Sequence, residues 1–200
     1  MSDLETLHEQ IRRCTRCKLH ASRTNAVPGE GPERAEIMFI GEGPGFHEDK
    51  QGRPFVGAAG QFLEELLASI NLRREQVFIT NVIKCRPPAN RDPEPDEIEA
   101  CRGYLDRQIE LLQPKMVVTL GRFSMARYFP SAKISQIHGQ AKKMDGVIYY
   151  PMYHPAAALH QPSLRRSVEE DIKRIPEFLD EIDRMDEQEP PEQAEQLSLF

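Results

Sequence analysis

Apolar residues gather in four short, nearly continuous runs: Ile37-Met38-Phe39-Ile40, Val77-Phe78-Ile79-Thr80, Met116-Val117-Val118-Thr119-Leu120 and Val147-Ile148-Tyr149-Tyr150. Polar or turn residues bound each one, the pattern of strands buried on both faces of a parallel sheet. Between them apolar positions recur at helical spacing, over 58–70 (Phe62, Leu63, Leu66, Leu67, Ile70), 96–112 (Ile98, Cys101, Leu105, Ile109, Leu112) and 122–129. A further helix is expected over 163–183, with Val168, Ile172, Ile175 and Leu179 on one side and a bend at Pro176. Alternating strand and helix predicts an α/β layered domain.

Beyond about residue 185 the pattern stops. The chain turns acidic and Pro/Gln-rich and cannot bury enough apolar surface to fold alone, so the expected division is a domain over 1–184 and a disordered acidic tail over 185–200. The tail changes how the net charge of −6 reads. Residues 180–200 hold eight carboxylates against one cation, Arg184, leaving 24 acidic and 25 basic side chains in residues 1–179. The body is near neutral with local basic clusters, so a nucleic-acid surface is not excluded. No apolar run could span a membrane and no signal-type segment leads the chain, so a soluble cytoplasmic protein is expected.

Four cysteines, Cys14, Cys17, Cys85 and Cys101, all sit among Arg and Lys: Arg12-Arg13-Cys14-Thr15-Arg16-Cys17-Lys18, Lys84-Cys85-Arg86 and Cys101-Arg102. Four thiols match one tetrathiolate centre, with zinc and iron–sulfur both open at this point. The basic flanks would offset thiolate charge and could also face a polyanion.

Three strands end in distinctive loops: Gly41-Glu42-Gly43-Pro44-Gly45, Asn81 ahead of Cys85, and His154-Pro155. Ligands of open parallel sheets gather at strand carboxyl ends, so these loops could meet in one crevice. Taken singly, the glycine loop reads as a turn, Asn81 as a turn cap, and Phe55 and His154 as core.

As an ordered set they read differently. Cys14-x-x-Cys17, Arg23-Thr24-x-x-Val27-Pro28-Gly29-Glu30-Gly31, the 41–45 loop, Pro54-Phe55-Val56-Gly57, Asn81-Val82-Ile83-Lys84-Cys85-Arg86-Pro87-Pro88 and His154-Pro155-Ala156-Ala157 closely resemble the family 4 uracil-DNA glycosylases, from about Cys14 to Arg166. The resemblance implies a three-layer α/β/α fold on a four-stranded parallel sheet, a structural [4Fe–4S] cluster on the four cysteines, and hydrolytic excision of uracil from single- and double-stranded DNA by a monomer. It also implies site roles. His154 would donate to uracil O2, Asn81 would read the base edge, and Phe55 would stack on its face. Gly41 and Gly43 would let the base approach. Glu48 would exclude the thymine methyl. Glu42, with Glu48 second, would orient water and stabilise the sugar cation.

The stretch from Lys84 to Cys101 lacks histidine, so turnover is expected rather than the covalent DNA adduct of relatives with an Arg/His-rich insertion. Where relatives often place a wedging leucine, this chain reads Pro155-Ala156-Ala157-Ala158-Leu159. The terminal Gln196-Leu197-Ser198-Leu199-Phe200 resembles a bacterial sliding-clamp peptide: Gln196, Leu197, Leu199 and Phe200 would be the anchors, on a flexible acidic tether. Two rival functions stay open: a non-catalytic iron–sulfur DNA scaffold, and a glycosylase with broader choice among deaminated bases.

Overall fold

A computed structural model describes residues 2–188. Five strands form one sheet: β1 (Ile37–Gly41), β2 (Phe78–Asn81), β3 (Met116–Leu120), β4 (Lys142–Met144) and β5 (Val147–Met152), in the order β2-β1-β3-β5-β4. The four predicted runs are the parallel strands, and β4 is an antiparallel edge paired with β5. That fifth strand is a correction. Its Lys142-Lys143-Met144 reads as polar loop, yet lysines are what a protected sheet edge carries. The overlooked signal was Asp145-Gly146, whose positive φ values of 49° and 80° close a two-residue hairpin.

Nine α-helices occur among the described residues: α1 (Asp3–Arg12), α2 (Phe46–Gln51), α3 (Ala58–Ser69), α4 (Pro95–Leu112), α5 (Arg122–Ala126), α6 (Ile134–Ile137), α7 (Pro155–His160), α8 (Ser163–Ile172) and α9 (Ile175–Gln188). Alternate residues of β1 feed two cores. Ile37 and Phe39 pack with Phe62, Leu63, Leu66 and Leu67 of α3 and with Val168 and Ile172 of α8. Met38 and Ile40 pack with Leu4, Leu7 and Ile11 of α1 and with Tyr104, Leu105 and Leu112 of α4. Helix, sheet and helix therefore form three layers, as the family resemblance implies.

Pro176 does not bend one long helix over 163–183. The segment is two helices, α8 and α9, and Pro176 is the second residue of α9, where its missing N–H disturbs nothing. The boundary expected near residue 185 falls inside α9. Helix α5 stops at Ala126, three residues short of the predicted end. Helix α1 was not anticipated, although Ser2 caps it by accepting from Glu5 N at 3.2 Å and Leu4, Leu7 and Ile11 line its buried side.

The sheet order reverses between β1 and β3, and the loops after β1, β2 and β5 lie at the same end of the sheet. Backbone pairing continues past the strands, with Val82 N donating to Gly41 O at 3.0 Å and Ile83 N to Glu42 O at 3.1 Å. The glycine loop and the Asn81 loop are thereby held together.

Candidate active site

A pocket of about 180 Å³ opens at that end, lined by Gly43, Gly45, Glu48, Phe55, Ala59, Asn81, His154 and Ala156. Five predicted site residues converge on it: Gly43, Glu48, Phe55, Asn81 and His154. Asn81 closes β2 and is only 2% exposed, and its Oδ1 has no hydrogen-bond partner. A buried acceptor without a partner is costly.

His154 caps α7. Its Nδ1 accepts from Ala156 N at 3.1 Å, so a neutral ring carries its proton on Nε2. Burial lowers its pKa from 6.5 to about 4, with Glu48 opposing, and the imidazole is neutral at physiological pH. The ring stacks on Phe55, centroids 5.4 Å apart and planes 24° from parallel.

Phe55 is fixed by its own backbone, at φ 51°. Arg74 Nη1 donates to its carbonyl at 2.8 Å, and Gly60 of α3 admits the same carbonyl where a Cβ would lie 1.9 Å away. Glu48 is equally constrained: its Oε1 accepts from Val56 N and Gly57 N, both at 2.9 Å, at the start of α3.

Gly41 and Glu42 do not line the pocket. Gly41 lies behind it, where a Cβ would stand 2.4 Å from Asn81 Oδ1 and 2.7 Å from the Phe55 ring, so its lack of a side chain leaves room for both. Glu42 is half-buried near Asp92 and Arg122, and burial, then Asp92, raise its pKa above 4.5 while Arg122 opposes them.

The four cysteines surround a second, narrow cavity, with Ile11, Arg16, Arg23, Lys84 and Tyr104 among its walls. Cys14 follows α1, Cys101 belongs to α4, and all four thiols are free. Arg23 Nη1 donates to Cys85 Sγ at 3.0 Å, and Arg16 N to Cys14 Sγ at 3.4 Å. Among the described residues no three His, Cys, Asp or Glu side chains are placed to hold a single metal ion. Four thiols around one cavity, one met by the Arg23 guanidinium and one by the Arg16 backbone N–H, form a donor set suited to a metal centre.

Lys84 departs from the expected basic flank. It is 1% exposed, and its Nζ donates to Thr80 Oγ1 at 2.6 Å, Gln108 Oε1 at 2.7 Å and Asn81 O at 2.8 Å. A lysine set in the apolar run Val82-Ile83 was the signal that it points inward. The clamp-like Gln196, Leu197, Leu199 and Phe200 lie outside the described residues.

The family profile of the uracil DNA glycosylase superfamily matches residues 28–178. Type-4 uracil-DNA glycosylases from Sulfurisphaera tokodaii and Archaeoglobus fulgidus are 54% and 48% identical to this chain, each over 89% of it and over 86% and 94% of their own lengths. The type-4 enzyme of Thermotoga maritima is 44% identical, covering 88% of this chain and 94% of its own.

Proposed function

Since the chain belongs to the type-4 uracil-DNA glycosylases, we propose that the pocket between Asn81 and His154 receives a uracil flipped out of DNA. The reaction breaks the bond from uracil N1 to deoxyribose C1′. The electron pair leaves with the base, water adds to C1′, and the departing anion gains the proton that water loses. An abasic site remains. The observation that carries the reading is the convergence of Asn81, whose Oδ1 has no hydrogen-bond partner, with Glu48, Phe55 and His154 on one pocket.

Asn81 Oδ1 accepts from uracil N3–H and its amide donates to O4. Cytosine reverses both positions, so it meets two mismatched pairs. His154 Nε2–H donates to O2, where charge grows as the bond breaks; a neutral ring suffices because it acts as a fixed dipole. Phe55 covers the base face. Glu48, pinned by two backbone N–H groups, stands against C5 and leaves no room for a thymine methyl. Glu42 orients the water and stabilises the sugar cation, a role suited to a carboxylate beside the pocket, off its base-lined wall; Glu48 is the second choice. Leu159, 42% exposed on α7, is the candidate to wedge the base stack in place of the leucine that relatives carry.

A [4Fe–4S] cluster on Cys14, Cys17, Cys85 and Cys101 would join the segment after α1 to the 85–101 stretch, supplying cohesion and no electrons. Brown colour and four irons per chain test it. For the tail, capture by a bacterial sliding clamp that disappears on deleting 196–200, with excision from short oligonucleotides intact, tests the terminal peptide.

Uracil-containing single- and double-stranded oligonucleotides, cleaved by alkali after incubation, test the pocket itself. Cutting by the wild type and its loss in Asn81→Ala and His154→Ala are expected; equal cutting by both variants would overturn the assignment. Type-4 relatives at this identity do not favour a scaffold or a broader deaminated-base enzyme, and hypoxanthine-containing strands run in parallel check the latter.

A further inference from the structure

Helix α2 presents two unlike sides. Its acids turn inward: Glu48 to the start of α3, and Asp49, 3% exposed, accepting from Thr24 N at 2.8 Å. Outward stand Phe46, His47 and Lys50, all exposed. Phe46 is 48% exposed and, with Leu159, stands out among large apolar side chains as lying outside the two cores. Its ring has the Arg86 guanidinium 5.1 Å and the Lys50 ammonium 5.7 Å from its centroid, with His47 edge-on at 5.5 Å. Neither cation joins an ion pair with a carboxylate among the described residues. Gly45 immediately before the ring and Glu48 two residues after it both line the pocket, so Phe46 stands at its rim.

We infer that Phe46 is a stacking platform for the nucleobase next to the flipped uridine, with Lys50 and Arg86 receiving the adjoining phosphates. This rests on the pocket taking a flipped nucleotide. A half-exposed ring with cations beside it matches a base on its charged backbone, and such stacking tolerates any sequence. Extruding one nucleotide also strips its neighbour of a stacking partner, and an aromatic surface at the pocket rim replaces it.

The test measures affinity of the full chain for single-stranded oligonucleotides by fluorescence anisotropy. They carry 2′-fluoro-deoxyuridine, which resists cleavage, with either a normal nucleotide or a base-free tetrahydrofuran spacer on each side in turn. Phe46→Ala is expected to weaken binding about tenfold when both neighbours carry bases. That ratio should shrink to within about twofold when the spacer replaces the stacked neighbour. Phe46→Trp should bind like the wild type. An equal loss with and without both neighbouring bases, or no loss at all, overturns the platform. Excision of ordinary deoxyuridine by the wild type is read separately and judges the pocket, so the two ideas fail independently.

Discussion

The imidazole of His154 lies stacked on the ring of Phe55, 24° from parallel, while its Nδ1 is occupied by the N–H of Ala156. Position, tautomer and charge of the ring are therefore fixed before any substrate arrives. Because the folded pKa is depressed from 6.5 to about 4, the unfolded chain binds the proton more readily across that interval. Stability associated with His154 is present above about pH 6.5 and lost as the pH falls toward 4. Thermal melts at pH 7 and pH 5 should show a smaller acid-induced drop in His154→Gln than in the wild type. His8, lowered to about 4 mainly by its own burial, supplies a remaining drop in both.

Excision should not lose activity near pH 6.5, where an ordinary histidine would charge. The acid limb is expected from Glu42, whose pKa lies above 4.5 through burial and Asp92. Single-turnover rates from pH 4 to 8 check this: a limb that persists unchanged in Glu42→Gln would assign it to another group.

Asn81→Ala should lower single-turnover excision by about 10²–10³-fold, the usual loss of one aimed polar partner in a transition state. Its stability should stay within about 1 kcal/mol of wild type, since the variant removes an acceptor that the folded protein leaves unpaired. Urea unfolding beside the kinetic assay separates the two effects.

Lys84→Met removes the ammonium from three acceptors at once: Thr80 Oγ1, Gln108 Oε1 and the carbonyl of Asn81. A loss of about 3 kcal/mol is expected from buried acceptors left open. Urea unfolding measures it; an unchanged midpoint would mean the three groups find other partners.

Gly121 sits at φ 90°, and a Cβ there would come 3.1 Å from that of His154. Gly121→Ala is expected to displace the histidine and slow excision by on the order of tenfold, with the cysteine cavity unaffected. Iron content equal to wild type alongside a slower single-turnover rate would bear this out.

The four buried parallel strands are legible because their apolar runs are continuous, and α1 carries its own local signals in the Ser2 cap and the spacing of Leu4, Leu7 and Ile11. The β4 edge is illegible: two lysines look the same on a sheet edge and in a loop until Asp145-Gly146 folds them back on β5. The ordered motifs named the family and most of the residues at the pocket. Sequence order alone could not say that Gly41 sits behind Asn81, that Glu42 stands outside the pocket wall, or that Lys84 turns inward.

By itself the chain determined which chemical groups were present and which strand ends carried them, since periodicity and residue type are local properties. Only the tertiary structure decided that Asn81 lines the pocket, that His154 is neutral, and that Phe46 looks outward. Those depend on burial and on partners far away in the chain, and neither exists until the layers have closed on the sheet.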